Sequence, residues 1–157
     1  NSVDVAVAAL VLHFMPDPLR GVREMARVVR PSGIVSAYTW DLEAGGFPYE
    51  AVHRAMLEVG LEMLSPPHPE AGNADEQLRL WTAAGLDEVR QREISVSRTF
   101  HDFDHYWRTA TLSPRIAAGL AELTPDQIAT LQEVARSYLP DSLVLVARAN
   151  ATSGRVS

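Results

Sequence analysis

The 157-residue sequence has no cysteine and no lysine. Without cysteine there is no disulfide, no thiolate metal site and no cysteine nucleophile. The 14 basic side chains are therefore all arginine, which alongside abundant alanine reflects genomic base composition more than mechanism. Positive charge is also scarce: 20 acidic residues leave a net charge of -6. The concentrated basic face that a phosphate backbone demands is missing, so no nucleic acid is expected as a partner. No apolar run reaches the roughly 18 residues of a membrane helix. No charged-then-apolar signal segment opens the chain. We therefore expect a soluble, cytoplasmic protein with no membrane partner. Internal repeats and low-complexity segments are absent too.

What is present fits one globular domain. Apolar residues make up 46% and charged residues 22%, ordinary proportions for a chain that buries a real core. The domain is expected to span residues 1–151, with residues 152–157 as a small, polar, flexible tail. Val3 to Leu12 is a continuous apolar run, read as a strand buried on both faces, the usual state of an interior parallel strand. The sequence starts almost directly on that strand, which is a first indication of a fragment. Asp17-Pro18 opens a helix, with aspartate as cap and proline at the first position. Leu19, Val22, Met25, Ala26 and Val29 recur at helical spacing, and Pro31-Ser32-Gly33 is the expected stop.

Ile34 to Trp40 reads as a second strand, followed by a loop through Gly45-Gly46. Helices are expected over Tyr49 to Leu64 and Ala74 to Ala84, the latter with Leu78, Leu80 and Trp81 inward. A half-exposed strand follows over Glu88 to Phe100. Three helices then run from Asp102, Pro114 and Thr124-Pro125, and a last strand covers Ser142 to Ala149. Strands alternating with helices give an α/β layer fold.

Three pieces together resemble the class I S-adenosylmethionine-dependent methyltransferase superfamily, particularly its small-molecule branch. Val3 to Phe14 (VDVAVAALVLHF) resembles the family's fourth strand and its carboxyl edge. Arg23 to Gly33 (REMARVVRPSG) is similar to the helix and Pro-Gly-Gly turn before the fifth strand, with Ser32 where glycine is common. Phe100 to Trp107 (FHDFDHYW) resembles a segment after the sixth strand in one subgroup. The resemblance implies a partial Rossmann-like sheet, strands four to seven with the last antiparallel, and helices on its faces. It also implies S-adenosylmethionine as cofactor and a small-molecule substrate. The family's glycine-rich loop after the first strand, and the acid ending the second, have no counterpart. Gly45-Gly46 follows the wrong strand.

Ligands of open α/β sheets bind at the carboxyl ends of the strands. By resemblance, the backbone at Ala8, Ala9 and Leu10 would lie beside the methionine part of the cofactor. The same alanines would also serve simply to pack a helix on the sheet. His13, just past the strand, is either a general base or a turn residue. Trp40, Asp41, Phe47 and Tyr49 are candidates for a substrate wall, or for a loop anchored by its own aromatics. If Trp40 and Phe47 line a pocket they should be substantially exposed; both nine-tenths buried would favour the structural reading. His101 and His105 share a helical spacing, but Asp102 reads as a cap and no third ligand is evident, so no metal is expected.

The expected function is a fragment of a small-molecule methyltransferase, inactive alone because the cofactor loop is missing. The alternative is a non-catalytic α/β module that self-associates or binds a partner. A homodimer joined through the first strand is expected, because that strand lacks the charges and prolines that protect an exposed edge.

Overall fold

In the computed structural model, which describes residues 2–61 and 65–157, residues 3–40 form a parallel β–α–β unit. Strand β1 (Val3–Ala9) leads through a 3-10 turn (Leu12–Phe14) into helix α1 (Pro18–Val28), and β2 (Val29–Trp40) returns beside β1. The helix starts as its sequence dictates: Asp17 caps it by accepting the Arg20 N–H at 2.9 Å, and Pro18 takes the first position. Further along lie α2 (Glu50–Glu58), a 3-10 turn (Pro69–Gly72) and α3 (Ala74–Ala83). Strand β3 (Asp87–Thr99), helices α4 (Phe103–Ala110), α5 (Pro114–Leu120) and α6 (Pro125–Ser137), and strand β4 (Val144–Arg155) complete the chain. The four strands form one sheet in the order β1-β2-β4-β3, and β4 runs antiparallel to β2. This is the mixed α/β sheet that the sequence implied. No helix among the described residues is long and apolar enough to cross a membrane.

The chain divides into two units. The first comprises Asn1–Phe47, Ser65–Ser95 and Ala147–Ser157. Its core joins Ala8, Leu12, Val22, Val29, Val35, Ala37, Leu80 and Trp81. The second comprises Pro48–Leu64 and Val96–Val146. There α2 packs on α6, and Phe103, Tyr106, Trp107, Ile116 and Leu131 are buried. Asp102 caps α4 through the His105 N–H, and Thr124 with Gln127 closes a reciprocal capping box on α6.

Several expectations need correction. Strand β1 is an edge strand, not an interior one: Val3, Val5 and Val7 are 41%, 50% and 60% exposed, and only Ala8 is buried. Ala6 and Ala8 pack into the core of this unit, while Val3, Val5 and Val7 stay exposed. Pro31-Ser32-Gly33 does not separate helix from strand, because the strand already begins at Val29, paired with Val3. Those residues instead make a bulge, since the register moves from Val3↔Val29 to Val5↔Ile34. Ser32 there has φ +64°, a left-handed conformation that glycine adopts more easily. Leu78 is exposed, and Gln77 takes the buried position on α3 beside Leu80 and Trp81. Helix α2 ends at Glu58, and residues 62–64 of the longer expected helix lie outside the described residues.

The tail is corrected as well. Residues 152–155 belong to β4, where Thr152 pairs with Ala37 and Gly154 with Val35. Two contacts fix them. A side chain at Gly154 would run into Trp81 and Leu86, so the strand there lies directly against the core. Thr152 Oγ1 donates to Gln77 Oε1 at 2.8 Å, deep under α3.

Gln77 is fully buried, and its Nε2 also reaches the carbonyl oxygens of Ala71 at 3.0 Å and Asn150 at 3.3 Å. Replacing it with leucine would leave the Thr152 hydroxyl to Gln91 Nε2, 3.0 Å away, and take a donor from the Ala71 and Asn150 carbonyls. We predict that Gln77→Leu lowers unfolding free energy by about 2–4 kcal/mol in urea titrations. A loss below about 0.5 kcal/mol would contradict the burial of this network.

Candidate functional site

The carboxyl ends of β1 and β2 carry most of the candidate residues. At the end of β1, Ala8 is buried and Ala9 is exposed. Leu10 then turns the chain with φ +56° while its N–H still donates to the Tyr38 carbonyl at 2.8 Å. No side chain larger than a methyl group stands on the last two residues of the strand. His13 is 3% exposed in the 3-10 turn, its ring 4.1 Å from that of Phe14. A ring so buried is part of the turn's packing.

At the end of β2, a polar clasp holds the following loop. Asp41 Oδ1 accepts the Ala44 N–H at 3.2 Å, and Oδ2 accepts Asn150 Nδ2 at 3.2 Å. Asn150 Nδ2 also donates to the Gly72 carbonyl at 2.8 Å. The Gly46 N–H donates to the Asp41 carbonyl at 2.7 Å, and Arg148 Nη2 to the Ala44 carbonyl at 2.6 Å. Both carboxylate oxygens of Asp41 are thus committed to shaping the loop. Trp40 and Phe47 are each half-buried, so neither the substantial exposure of a pocket wall nor complete burial applies.

Tyr49 belongs to the second unit, where its ring lies 6.4 Å from the buried Tyr106. Burial pushes the Tyr106 hydroxyl above the ordinary tyrosine range. Beside Tyr49, burial alone would raise Glu50, but His53 at 3.6 Å and Arg54 at 2.9 Å outweigh it and hold the carboxyl below its usual range. His101 and His105 lie 5.9 Å apart by ring centroids, and the His101 N–H reaches His105 Nδ1 at 3.4 Å. Among the described residues no three histidine or acidic groups converge as metal ligands do.

Sequence reasoning missed three contributors: Asn150, Gln77 and His68. Asn150 stands between alanines in a strand, and a polar residue there is the available signal; Gln77, in Asp75-Glu76-Gln77-Leu78-Arg79, gave none. His68 lies between prolines and gave none. The same unit also carries an open hollow of about 510 Å3 on the uncovered side of the sheet, lined by Ser36, Tyr38, Arg92, Ile94, Ala151 and Ser153.

Comparison with known proteins agrees with this geometry. Residues 1–37 match the family described as a methyltransferase domain, the stretch that here forms β1, α1 and most of β2. A search of curated proteins finds no match. Two solved structures share the fold. One is a Bacillus halodurans C-125 protein assigned as a methyltransferase, 12% identical with a TM-score of 0.52. The other is YcgJ of Bacillus subtilis, 16% identical with a TM-score of 0.55. Each similarity covers 98% of this chain but 64% of the other, so the chain spans less than two thirds of those proteins. The chain thus has the class I methyltransferase fold, and its first 37 residues carry that family's sequence pattern.

The clasp yields a prediction. A Cβ added to Gly72 would strike the Trp40 carbonyl oxygen, a backbone atom that cannot swing aside. Gly72→Ala should therefore cost about 1–3 kcal/mol of stability and shift the NMR signals of Trp40 and Asp41. Unchanged stability and spectra would show that the loop after β2 is not held this way.

Proposed function

We propose that this chain is the C-terminal part of an S-adenosylmethionine-dependent methyltransferase acting on a small molecule, and that alone it neither holds the cofactor nor turns over. The observation that carries this reading is the coincidence of the family match with the β1–α1–β2 unit, at whose carboxyl edge α/β sheets bind ligands. The residues there suit the cofactor: Ala9 presents only an exposed methyl group, the Ala8 side chain is turned into the core, and the backbone turns away at Leu10. Their main chain would flank the methionine part of the cofactor. When bound, the cofactor supplies a methyl group on a positively charged sulfur, already a strong electrophile.

The chain's own task is positioning. Trp40 and Phe47 would contact the substrate, and Asp41 would shape the loop that carries them. His13 packs its turn and removes no proton. A neutral, well-aligned amine attacks the methyl carbon with its own lone pair as the carbon–sulfur bond breaks, and its proton leaves to water afterwards, so transfer to nitrogen needs no base on this chain. What the reading lacks is the glycine-rich turn whose N–H groups, with an acidic ribose partner, supply most of the cofactor's orienting contacts. We therefore expect isothermal titration of S-adenosylmethionine into this chain alone to give no heat of binding. Micromolar binding by the chain alone would overturn the expectation.

A second reading rests on one specific observation, the unequal protection of the two sheet edges. Strand β3, one edge, carries Asp87, Glu88, Arg90, Arg92, Glu93 and Arg98. Strand β1, the other edge, carries only Asp4 as a charge, and Asp4 is taken by Arg30 at 2.5 Å. Ser2 donates to the Val28 carbonyl at the end of α1 and Leu10 to the Tyr38 carbonyl of β2, so the backbone groups of Val3, Val5 and Val7 point outward. Antiparallel self-pairing about Ala6 would set Val5 opposite Val7, Val3 opposite Ala9 and Asp4 opposite Ala8, with no like charges opposed. On this reading the chain is a homodimer through β1. Light scattering at tens of micromolar should then give twice the chain mass, and Val5→Lys should halve it. A monomeric mass for the unaltered chain would sink the dimer.

A further inference from the structure

We infer that the imidazole of His68 is a proton-dependent clamp that fastens the segment between β1 and α1 to the Pro69–Gly72 turn. The inference does not depend on the methyltransferase reading. His68 Nδ1 lies 2.8 Å from Glu70 Oε1, and Nε2 lies 3.2 Å from the Pro16 carbonyl oxygen. Both partners are acceptors only once Glu70 is ionised. A neutral imidazole carries one N–H and one lone pair, so it can satisfy one of these partners and must turn a lone pair toward the other. Only the imidazolium donates to both. The two partners sit on different stretches of chain, Glu70 in the 3-10 turn and Pro16 just before α1.

The backbone adds a fixed anchor at the same place. The His68 N–H donates to the His13 carbonyl at 3.1 Å, and the Ala71 N–H to the His68 carbonyl at 3.1 Å. The charged groups acting on the ring are Glu70 and the α1 cap Asp17, both acidic. They favour the cation, chiefly through the Glu70 hydrogen bond, with the Pro16 carbonyl adding to it, and raise His68 above its ordinary value. Glu70 is correspondingly held below the usual carboxylate range by the His68 hydrogen bond.

The direction of the pH effect follows. A histidine whose folded value is raised contributes fully below the ordinary value of about 6.5, and loses that contribution as pH rises through the raised one. Below the midpoint, residues 13–17 are held by the ring and the backbone together. Above it, one side-chain bond is lost and the backbone bond remains. Those residues join the end of β1 to α1, so the clamp sets how firmly the sheet's carboxyl edge is framed.

The test follows the His68 ring proton by NMR from pH 5 to 9, together with exchange of the His68 and Ala71 amides. In the intact chain the ring should titrate above about 6.5. Through that midpoint, protection of both amides, corrected for base catalysis, should fall about two- to fivefold. Glu70→Gln should move the midpoint down toward the ordinary value while leaving the fold intact. His68→Gln should show the reduced protection at every pH. A ring that titrates at or below its ordinary value, or amide protection that ignores its titration, would overturn the clamp.

Discussion

The buried amide of Gln77 is the joint on which the first unit depends. Strand β4 lies between β2 and β3, so its covered face must meet α3 and the Pro69–Gly72 turn. That face is not apolar: it presents Thr152 and Asn150, 1% and 8% exposed. Gln77 answers the Thr152 hydroxyl and the Asn150 carbonyl, and the Asn150 side chain passes the linkage to Gly72 and Asp41. In a low-dielectric interior such a network fixes one arrangement, because a slipped register would leave each member unpaired. The strand register, the seat of α3 and the path of the loop after β2 are thus specified together.

Much of this was legible in the sequence, and the exceptions have physical causes. Asp17-Pro18, Asp102 and Thr124-Pro125 announce their helices because capping is a local interaction, complete within four residues. The two parallel strands were legible from their apolar runs. Burial was not: periodicity cannot tell an interior strand from an edge, since that depends on which strands lie alongside. The end of β4 was misread because Thr152, Ser153 and Gly154 have the composition of a tail, and what makes them a strand is distant in sequence: their pairing with residues 35–37 of β2 and the Thr152 bond to Gln77, 75 residues away. Leu78, expected inward, is exposed, and Gln77 is buried in its stead for the same reason. A polar residue inside a helix looks outward until a distant hydroxyl claims it.

The candidate site was half legible. The small residues Ala8 and Ala9, and the loop after β2, stand at the carboxyl edge of the sheet as the resemblance implied. Their chemistry reads differently once packing is known. Asp41 spends both carboxylate oxygens on the loop, and His13 is enclosed in its turn, so positioning carries the reading and proton transfer does not. Clasp and clamp frame the same edge from two directions, through Asn150 on β4 and through His68 beside the 3-10 turn.

The most direct measurement supplies what the reading lacks. A separate polypeptide carrying a strand, a glycine-rich turn and a helix, with an acid ending its second strand, would be mixed with this chain and titrated with S-adenosylmethionine. The account predicts binding by the mixture where neither component binds alone, and loss of that binding when Ala9→Phe fills the strand end. A stable complex of the two polypeptides that still fails to bind S-adenosylmethionine, or one whose binding ignores Ala9→Phe, would contradict it.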